Sequence, residues 1–258
     1  MKKTVLFLLL MAIVCGVLSI PCLAENQTHH WYCKHVKDHA QPSIEKSMAF
    51  IENLEGYYID RKCEDEKIIY LTFDVGYENG NVAKTLDVLK QEDVKAAFFI
   101  LGNLITHDPD LVHRIANEGH TVCNHSVSHK DMSKWNEESF LDELKKLEKL
   151  YHEHIGGTLA AYYRPPEGNF SRKNLVCAME NGYKTIFWSF AYPDWDNQKQ
   201  MSEEKAKKII LDNTHNGEVM LLHPTSATNA AILGDVIRDL KSKGYRFGTL
   251  DELTAKER

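Results

Sequence analysis

From Lys67 onward the chain alternates between short apolar runs that read as strands and longer amphipathic runs that read as helices. That alternation restricts it to a parallel sheet covered by helices, either closed as a barrel or open and doubly wound. The strand-like runs are Ile68 to Phe73, Ala96 to Leu101, Thr121 to Asn124, Ala161 to Arg164, Thr185 to Phe190, Val219 to Leu222 and Arg246 to Leu250. Seven such runs favour an incomplete barrel. Between them, Asn136 is placed to cap a helix over Glu137 to His154, Ser171 one that ends at Gly182, and Ser202 one over Glu203 to Asn213. No internal repeat, low-complexity tract or linker follows Lys67, so residues 66–254 read as a single α/β domain with enough chain for a full core.

Two lysines, an apolar stretch from Val5 to Ile20 and Ala24 ahead of Glu25 predict a secretory signal over residues 1–24, cleaved after Ala24. The stretch is short for a membrane span and no second one follows, which favours export over a multi-span protein and leaves a retained N-terminal anchor as the alternative. Neither Val14 before Cys15 nor Pro21 before Cys22 is the small residue expected ahead of a lipidated cysteine. Cleavage removes Lys2 and Lys3 and no acid, taking the formal charge from -6 to -8, which argues against a nucleic-acid partner. Residues 25–65 are polar and irregular and read as an N-terminal extension, with one amphipathic stretch, Ile44 to Ile51, suited to a helix packed on the main domain. In an exported chain Cys33 and Cys63 either pair as a disulfide or remain free, while Cys123 and Cys177 fall in runs where buried thiols are ordinary.

Polar clusters follow five of the strands. Asp74 sits in the glycine-bracketed turn Thr72-Phe73-Asp74-Val75-Gly76, His125-Ser126-Val127-Ser128-His129 follows the third strand, and Arg164-Pro165-Pro166-Glu167-Gly168 the fourth. Asp194-Trp195-Asp196 follows the fifth and His223-Pro224 the sixth. In a βα barrel those strand ends open on one face, where such folds carry their chemistry. His125 and His129, four apart, can reach one metal ion; His35 and His39 share that spacing in the N-terminal segment, where no site is expected, so position carries the argument rather than spacing. Arg164, ahead of two prolines that fix the chain, is placed to hold Asp74 by a bidentate contact or to form a structural salt bridge. His223 suits a general acid, or a satisfied core histidine. Trp195, with Tyr192 and Trp188, reads as a sugar platform or as a core edge.

In this order the motifs TFDVG (72–76), HSVSH (125–129), RPPEG (164–168), the Asp194-Trp195 pair and LLHP (221–224) resemble the polysaccharide deacetylase family, the NodB-homology or carbohydrate esterase 4 domain, from about Lys67 to Leu253. The resemblance implies a distorted (β/α)7/8 barrel and metal-dependent removal of acetyl groups from glycans. The block TFDVGYENGN, the RPPEGNFS run, the FWSFAYPDW segment and the N-terminal extension resemble the delta-lactam-biosynthetic branch, which deacetylates N-acetylmuramic acid in peptidoglycan for muramic-delta-lactam in the spore cortex. Carried over, the resemblance makes Asp74 the general base, His125 and His129 ligands of a divalent ion, expected to be zinc, Arg164 the residue that orients Asp74, and His223 the general acid. Backbone N–H groups around Gly76 to Glu78 are the candidate oxyanion donors. Tyr77, Glu78, Pro165, Glu167 and Trp195 are the candidates for contact with the glycan. A monomer exported to the cell envelope or extracellular side, or to the forespore intermembrane space, is expected.

Two positions depart from the family pattern. Most members carry a second aspartate after the base, and here that position is Val75, which cannot ligate a metal. Weak, exchangeable metal binding is therefore expected unless Asp74, Glu78 or Asn79 contributes a ligand. Glu167 stands where relatives can be basic, and an acid there alters which charged glycan is accepted. Two other functions compete: a deacetylase acting on N-acetylglucosamine in peptidoglycan or chitin, and a noncatalytic glycan-binding module, which would have no need of Asp74, Arg164 and His223 together.

Overall fold

The computed structural model describes residues 27–63 and 65–255. The predicted signal over residues 1–24, with Cys15 and Cys22, lies outside them. The central sheet has eight strands, and its pairings from β3 Ile68–Val75 through β4 Ala97–Ile100, β5 Thr121–Asn124 and β6 Ala160–Tyr163 to β8 Lys184–Ile186 are parallel. β9 Glu218–Leu222 runs parallel to β3 along residues 69–73, and β10 Arg246–Phe247 pairs with the first residues of β3. Isolated bridges from Phe190 to Met220 and from Ile59 to Glu218 join the other end of the sheet to β9, so it curls into a distorted barrel. The helices α1 Asn81–Gln91, α2 Gly102–His107, α3 Pro109–Asn117, α4 Glu137–His154, α5 Arg172–Glu180, α6 Glu203–Asn213, α7 Ala227–Ser242 and α8 Leu250–Thr254 complete the βα alternation.

The apolar run of β3 is continuous because both its faces are buried. Successive side chains point to opposite sides of a strand, and the packing follows that rule. Ile69, Leu71, Phe73 and Val75 enter the cluster beneath the helices, with Val82, Leu86 and Leu104. Ile68 and Tyr70 enter the inner cluster with Phe99, Cys123, Tyr162 and Val219, which Leu250 and Leu253 of α8 help fill. Thr72 and Asp74 share the inward parity of Ile68 and Tyr70. One period of two thus sends the carboxylate of Asp74 into the barrel mouth and the side chain of Val75 toward the helices.

The predicted helix caps hold at Asn136 and Ser171, whose side chains accept from the backbone N–H groups of Ser139 and Asn174. α6 has the expected span, but Ser202 makes no side-chain cap bond. The run expected to extend as a strand to Leu250 stops at Phe247 because Thr249 starts α8 with a capping box to Glu252.

Residues 28–63 do more than pack one helix. β1 Thr28–His30 pairs antiparallel with β7 Asn169–Ser171, the amphipathic stretch forms a 3-10 helix over Lys46–Leu54, and β2 Gly56–Tyr57 joins β8 in the barrel sheet. Trp31 is the anchor of this segment. It stacks on Phe187 at 4.5 Å and lies 5.1 Å from Tyr58, while its Nε1 donates to the Trp188 carbonyl at 2.9 Å. Cys33 and Cys63 are free thiols, and Cys63 Sγ donates to Asp60 Oδ2 at 3.2 Å. Because Trp31 is 6% exposed, Trp31→Ala should cost about 3–5 kcal/mol in urea unfolding.

Candidate active site

Asp74, His125, Arg164 and His223 lie at or just beyond the C-terminal ends of β3, β5, β6 and β9, which run in one direction and therefore open on one mouth. Arg164 has no exposed surface. A guanidinium keeps its charge at any pH a protein survives, so its donors must be met inside. Nη1 donates to Asp74 Oδ1 at 2.7 Å, Nη2 to Thr72 Oγ1 at 2.9 Å and to the Phe187 carbonyl at 3.3 Å, and Nε to the Ile186 carbonyl at 3.0 Å. The plane also rests 4.1 Å over the Phe99 ring. The contact with Asp74 is a single bond rather than the fork anticipated, because Thr72 and Phe187 occupy Nη2. Asp74 therefore keeps Oδ2 free of Arg164. Burial works to raise the Asp74 pKa, but Arg164, with smaller help from His125 and His223, outweighs it and holds the carboxyl below its ordinary value.

The free oxygen faces a histidine. His125 Nε2 is 3.5 Å from Asp74 Oδ2, while its Nδ1 lies 2.9 Å from the Arg164 carbonyl, an acceptor that fixes the proton on Nδ1. Burial, with a smaller push from His129 and against the pull of Asp74, lowers the pKa of His125 to about 4, so the ring is neutral at pH 7. Nε2 then presents a lone pair to a carboxylate with no proton between them, an arrangement suited to a cation. The His129 ring centroid is 5.0 Å from that of His125, at an interplanar angle of 71°. Imidazole and carboxylate are donor types that suit a divalent ion. No group of three or more His, Cys, Asp or Glu side chains set to hold a metal occurs among the described residues. Val75 is 2% exposed within the helix-facing cluster, and the other possible donors are tied elsewhere. The Glu78 carboxylate accepts from the backbone of Gly80 and Ala83 at the start of α1, and Asn79 Nδ2 donates to the Thr225 carbonyl.

Local strain shapes the loop that carries these rings. Ser126 and His129 both have left-handed φ, 71° and 55°, each costing on the order of 1–3 kcal/mol for a side-chain-bearing residue. Three acceptors hold the turn: Asn124 Oδ1 for the Ser126 N–H at 2.9 Å, Ser126 Oγ for the His129 N–H at 2.9 Å, and Glu143 Oε1 for the Ser128 N–H at 2.8 Å. His35 and His39, the pair with the same spacing, meet the carbonyls of Ala191 and Thr214 instead of each other.

His223 follows Leu222, which pairs with Phe73, so it emerges beside Asp74; its Nδ1 is 2.7 Å from Asp194 Oδ1, and its backbone N–H donates to Asp194 Oδ2 at 2.8 Å. Asp194 is 2% exposed and also accepts from Asn229 Nδ2 at 2.6 Å. Burial works to lower the His223 pKa, but Asp194, then Asp74, reverse that and raise it above 6.5. With Nδ1 committed to Asp194, the other ring nitrogen is the one free to exchange a proton. The Asp194-Trp195 pair marked this strand end in the sequence, yet the task of Asp194 was not legible, since its partner is 29 residues away.

The rim carries two exposed aromatic rings. Trp195 is 61% exposed and lies 6.3 Å from the His223 ring, and Tyr77 is 44% exposed with its hydroxyl accepting from Asn197 Nδ2 at 2.7 Å. Tyr192 is buried and Trp188 half-buried in the packed wall, so of these two and Trp195 it is Trp195 that is exposed to a ligand. Pro165 is buried. Glu167 is exposed at φ 55°, and its Oε2 accepts from Asn169 Nδ2 at 3.2 Å.

A family model described as polysaccharide deacetylase matches residues 61–186. The chain is 37% identical to the peptidoglycan-N-acetylmuramic acid deacetylase PdaA of Bacillus subtilis, over 88% of this chain and 86% of that protein. It is 36% identical to a peptidoglycan-N-acetylglucosamine deacetylase of Bacillus cereus, over 74% of this chain and 70% of that one. The solved structure of Bacillus subtilis PdaA, a family 4 carbohydrate esterase, superposes with a TM-score of 0.84, covering 88% of this chain and 97% of that chain.

Removing Arg164 would strand a buried carboxylate. Arg164→Met should cost about 3–5 kcal/mol in chemical unfolding, whereas Arg164→Lys should recover part of that loss.

Proposed function

We propose that this chain, which belongs to the polysaccharide deacetylase family and is a deacetylase enzyme, acts on peptidoglycan and removes the N-acetyl group of N-acetylmuramic acid. The observation that carries the chemistry is the pair of polar groups on adjacent strand ends at the mouth: an ionised Asp74 with one oxygen free of Arg164, and a His223 whose pKa is raised. The substrate reading is supported by the longer match to the muramic acid deacetylase, 88% of this chain against 74% for the glucosamine deacetylase.

Asp74 Oδ2 accepts the proton of the attacking water, while Arg164 keeps Oδ1 fixed and the carboxylate ionised. His125 and His129 are the residues that would hold a divalent ion, and zinc there would polarise the acetamide carbonyl and acidify its water. Backbone N–H groups from Gly76 to Glu78 are the candidate donors to the oxygen on which charge develops. His223, protonated and held through Nδ1 by Asp194, delivers a proton from its other ring nitrogen to the departing amine. The C–N bond breaks, and acetate and a free amine leave. Trp195 and Tyr77 supply apolar faces for the sugar rings beside this centre.

Lactam closure requires a free amine beside the lactyl carboxyl, so the substrate on this reading is a muramyl residue already stripped of its peptide. A role in the spore cortex and export beyond the cytoplasmic membrane belong to the same proposal. Val75 makes the metal site weak, so activity should rise steeply with added zinc and fall in chelator.

Purified residues 25–258 incubated with peptide-stripped peptidoglycan should lose acetyl from muramic acid, as read by mass spectrometry of the released sugars, and Asp74→Asn should lower turnover by at least about a thousandfold with glycan binding retained. Loss of acetyl from glucosamine alone would overturn the substrate reading. The pH profile gives a second check. His223 must be protonated to act, and its raised pKa keeps the alkaline limb of kcat/KM above pH 6.5. Asp194→Asn removes the strongest raising influence and leaves burial, so that limb should move below 6.5 while kcat falls.

A further inference from the structure

Glu143 lies on α4, outside every motif that marked the site, yet it is 8% exposed and one of its carboxylate oxygens is spent on a single neighbour. Oε1 accepts from both the backbone N–H of Ser128 at 2.8 Å and the Ser128 hydroxyl at 2.6 Å. An acid rarely settles in a protein interior without such a task. Ser128 immediately precedes His129, which has to adopt a left-handed backbone at φ 55° to bring its ring to 5.0 Å from that of His125. Relaxation of His129 to an ordinary right-handed or extended backbone would swing its side chain away.

The turn is tied at three places. Asn124 holds Ser126 and itself donates Nδ2 to the Leu144 carbonyl of α4 at 3.0 Å, and Ser126 holds the His129 N–H. Both ties lie within or before the turn. Glu143 supplies the tie to the residue directly before His129, and it stands next to Leu144 on the same helix. The 18-residue α4, packed against the barrel through Phe140, Leu144 and Leu147, is thus a rigid post to which both ends of the turn are fastened.

We infer that Glu143 is a positioning residue for the His125–His129 pair: through the two hydrogen bonds it accepts from Ser128 it holds His129 in the left-handed conformation that brings the two imidazoles together. It touches neither the sugar nor the reacting atoms and acts by restricting the loop. The metal half of this inference rests on the reading that His125 and His129 hold a divalent ion; the loop half does not. The outward groups of a binding centre set the geometry of the inner ones, and their loss typically lowers metal affinity by about 10–100-fold.

Three variants separate this role from general stability. Glu143→Ala removes the acceptor, Glu143→Gln keeps an oxygen able to accept both bonds, and Ser128→Ala removes only the hydroxyl bond. In metal-free protein, amide hydrogen exchange of residues 126–129 should accelerate by about tenfold or more in Glu143→Ala, with the strands of the barrel unchanged and Glu143→Gln close to wild type. The dissociation constant for Zn(II), measured by competition with a chromophoric chelator, should rise by about 10–100-fold in Glu143→Ala, by less in Ser128→Ala, and return most of the way in Glu143→Gln. Loop exchange and Zn(II) affinity within twofold of wild type in Glu143→Ala would overturn the inference, as would equal weakening by alanine and glutamine. If Glu143→Ala does not fold, the ordering of wild type, Ser128→Ala and Glu143→Gln decides it. Absence of Zn(II) binding by the wild type would overturn the metal reading and leave the exchange experiment to decide the role of Glu143.

Discussion

A guanidinium with no solvent-exposed surface, bonded to Asp74 on one nitrogen and to Thr72 and two main-chain carbonyls on the others, is the contact around which the mouth of this barrel is arranged. Buried charges are tolerated only when every partner is in place. Arg164 therefore fixes the ends of β3 and β6 and the start of the segment after β8 relative to one another. It also decides the chemistry: by taking one oxygen of Asp74 and leaving the other free, it produces an ionised carboxylate aimed at His125. The carbonyl of the same residue selects the tautomer of His125, so a single residue sets both the charge of Asp74 and the lone pair of the neighbouring imidazole.

Different counter-ions then set the charges of Asp74 and His223. Asp74 and His223 are both largely buried, and burial works against the charged form of each. Arg164 reverses the effect for the carboxylate and Asp194 for the imidazole. These two counter-ions favour an ionised Asp74 and a protonated His223 at the same pH, which is what the proposed amide hydrolysis requires. His125 stands 3.5 Å from the free oxygen of Asp74 with the His129 ring beside it, while Val75, turned by strand alternation into the apolar layer, supplies no donor.

Much of this was legible in the sequence because the strongest signals are local. β3 was announced by an unbroken apolar run, α4 by Asn136 and its amphipathic period, and the residues that line the mouth by polar clusters at successive strand ends. What stayed hidden depends on distant partners. β1 and β7 are too short and too polar to show a strand period, and they exist because residues 28–30 meet residues 169–171. Ser202 had the sequence of a cap without its bond, since a cap is a geometry and not a residue type. Asp194 and Glu143 were invisible as supports for His223 and His129 for the same reason. The division of Trp188, Tyr192 and Trp195 into two wall residues and one exposed face likewise required the fold.

On the proposed mechanism the free oxygen of Asp74 works on a water molecule rather than on the acetyl carbon. Single-turnover hydrolysis in water enriched in heavy oxygen tests it directly, with the acetate and the Asp74 peptide weighed afterwards by mass spectrometry. If Asp74 removes a proton from water, the first acetate formed carries the heavy oxygen and the Asp74 peptide carries none. Heavy oxygen in the Asp74 carboxylate would mean that the side chain itself attacked the acetamide, and would contradict the account.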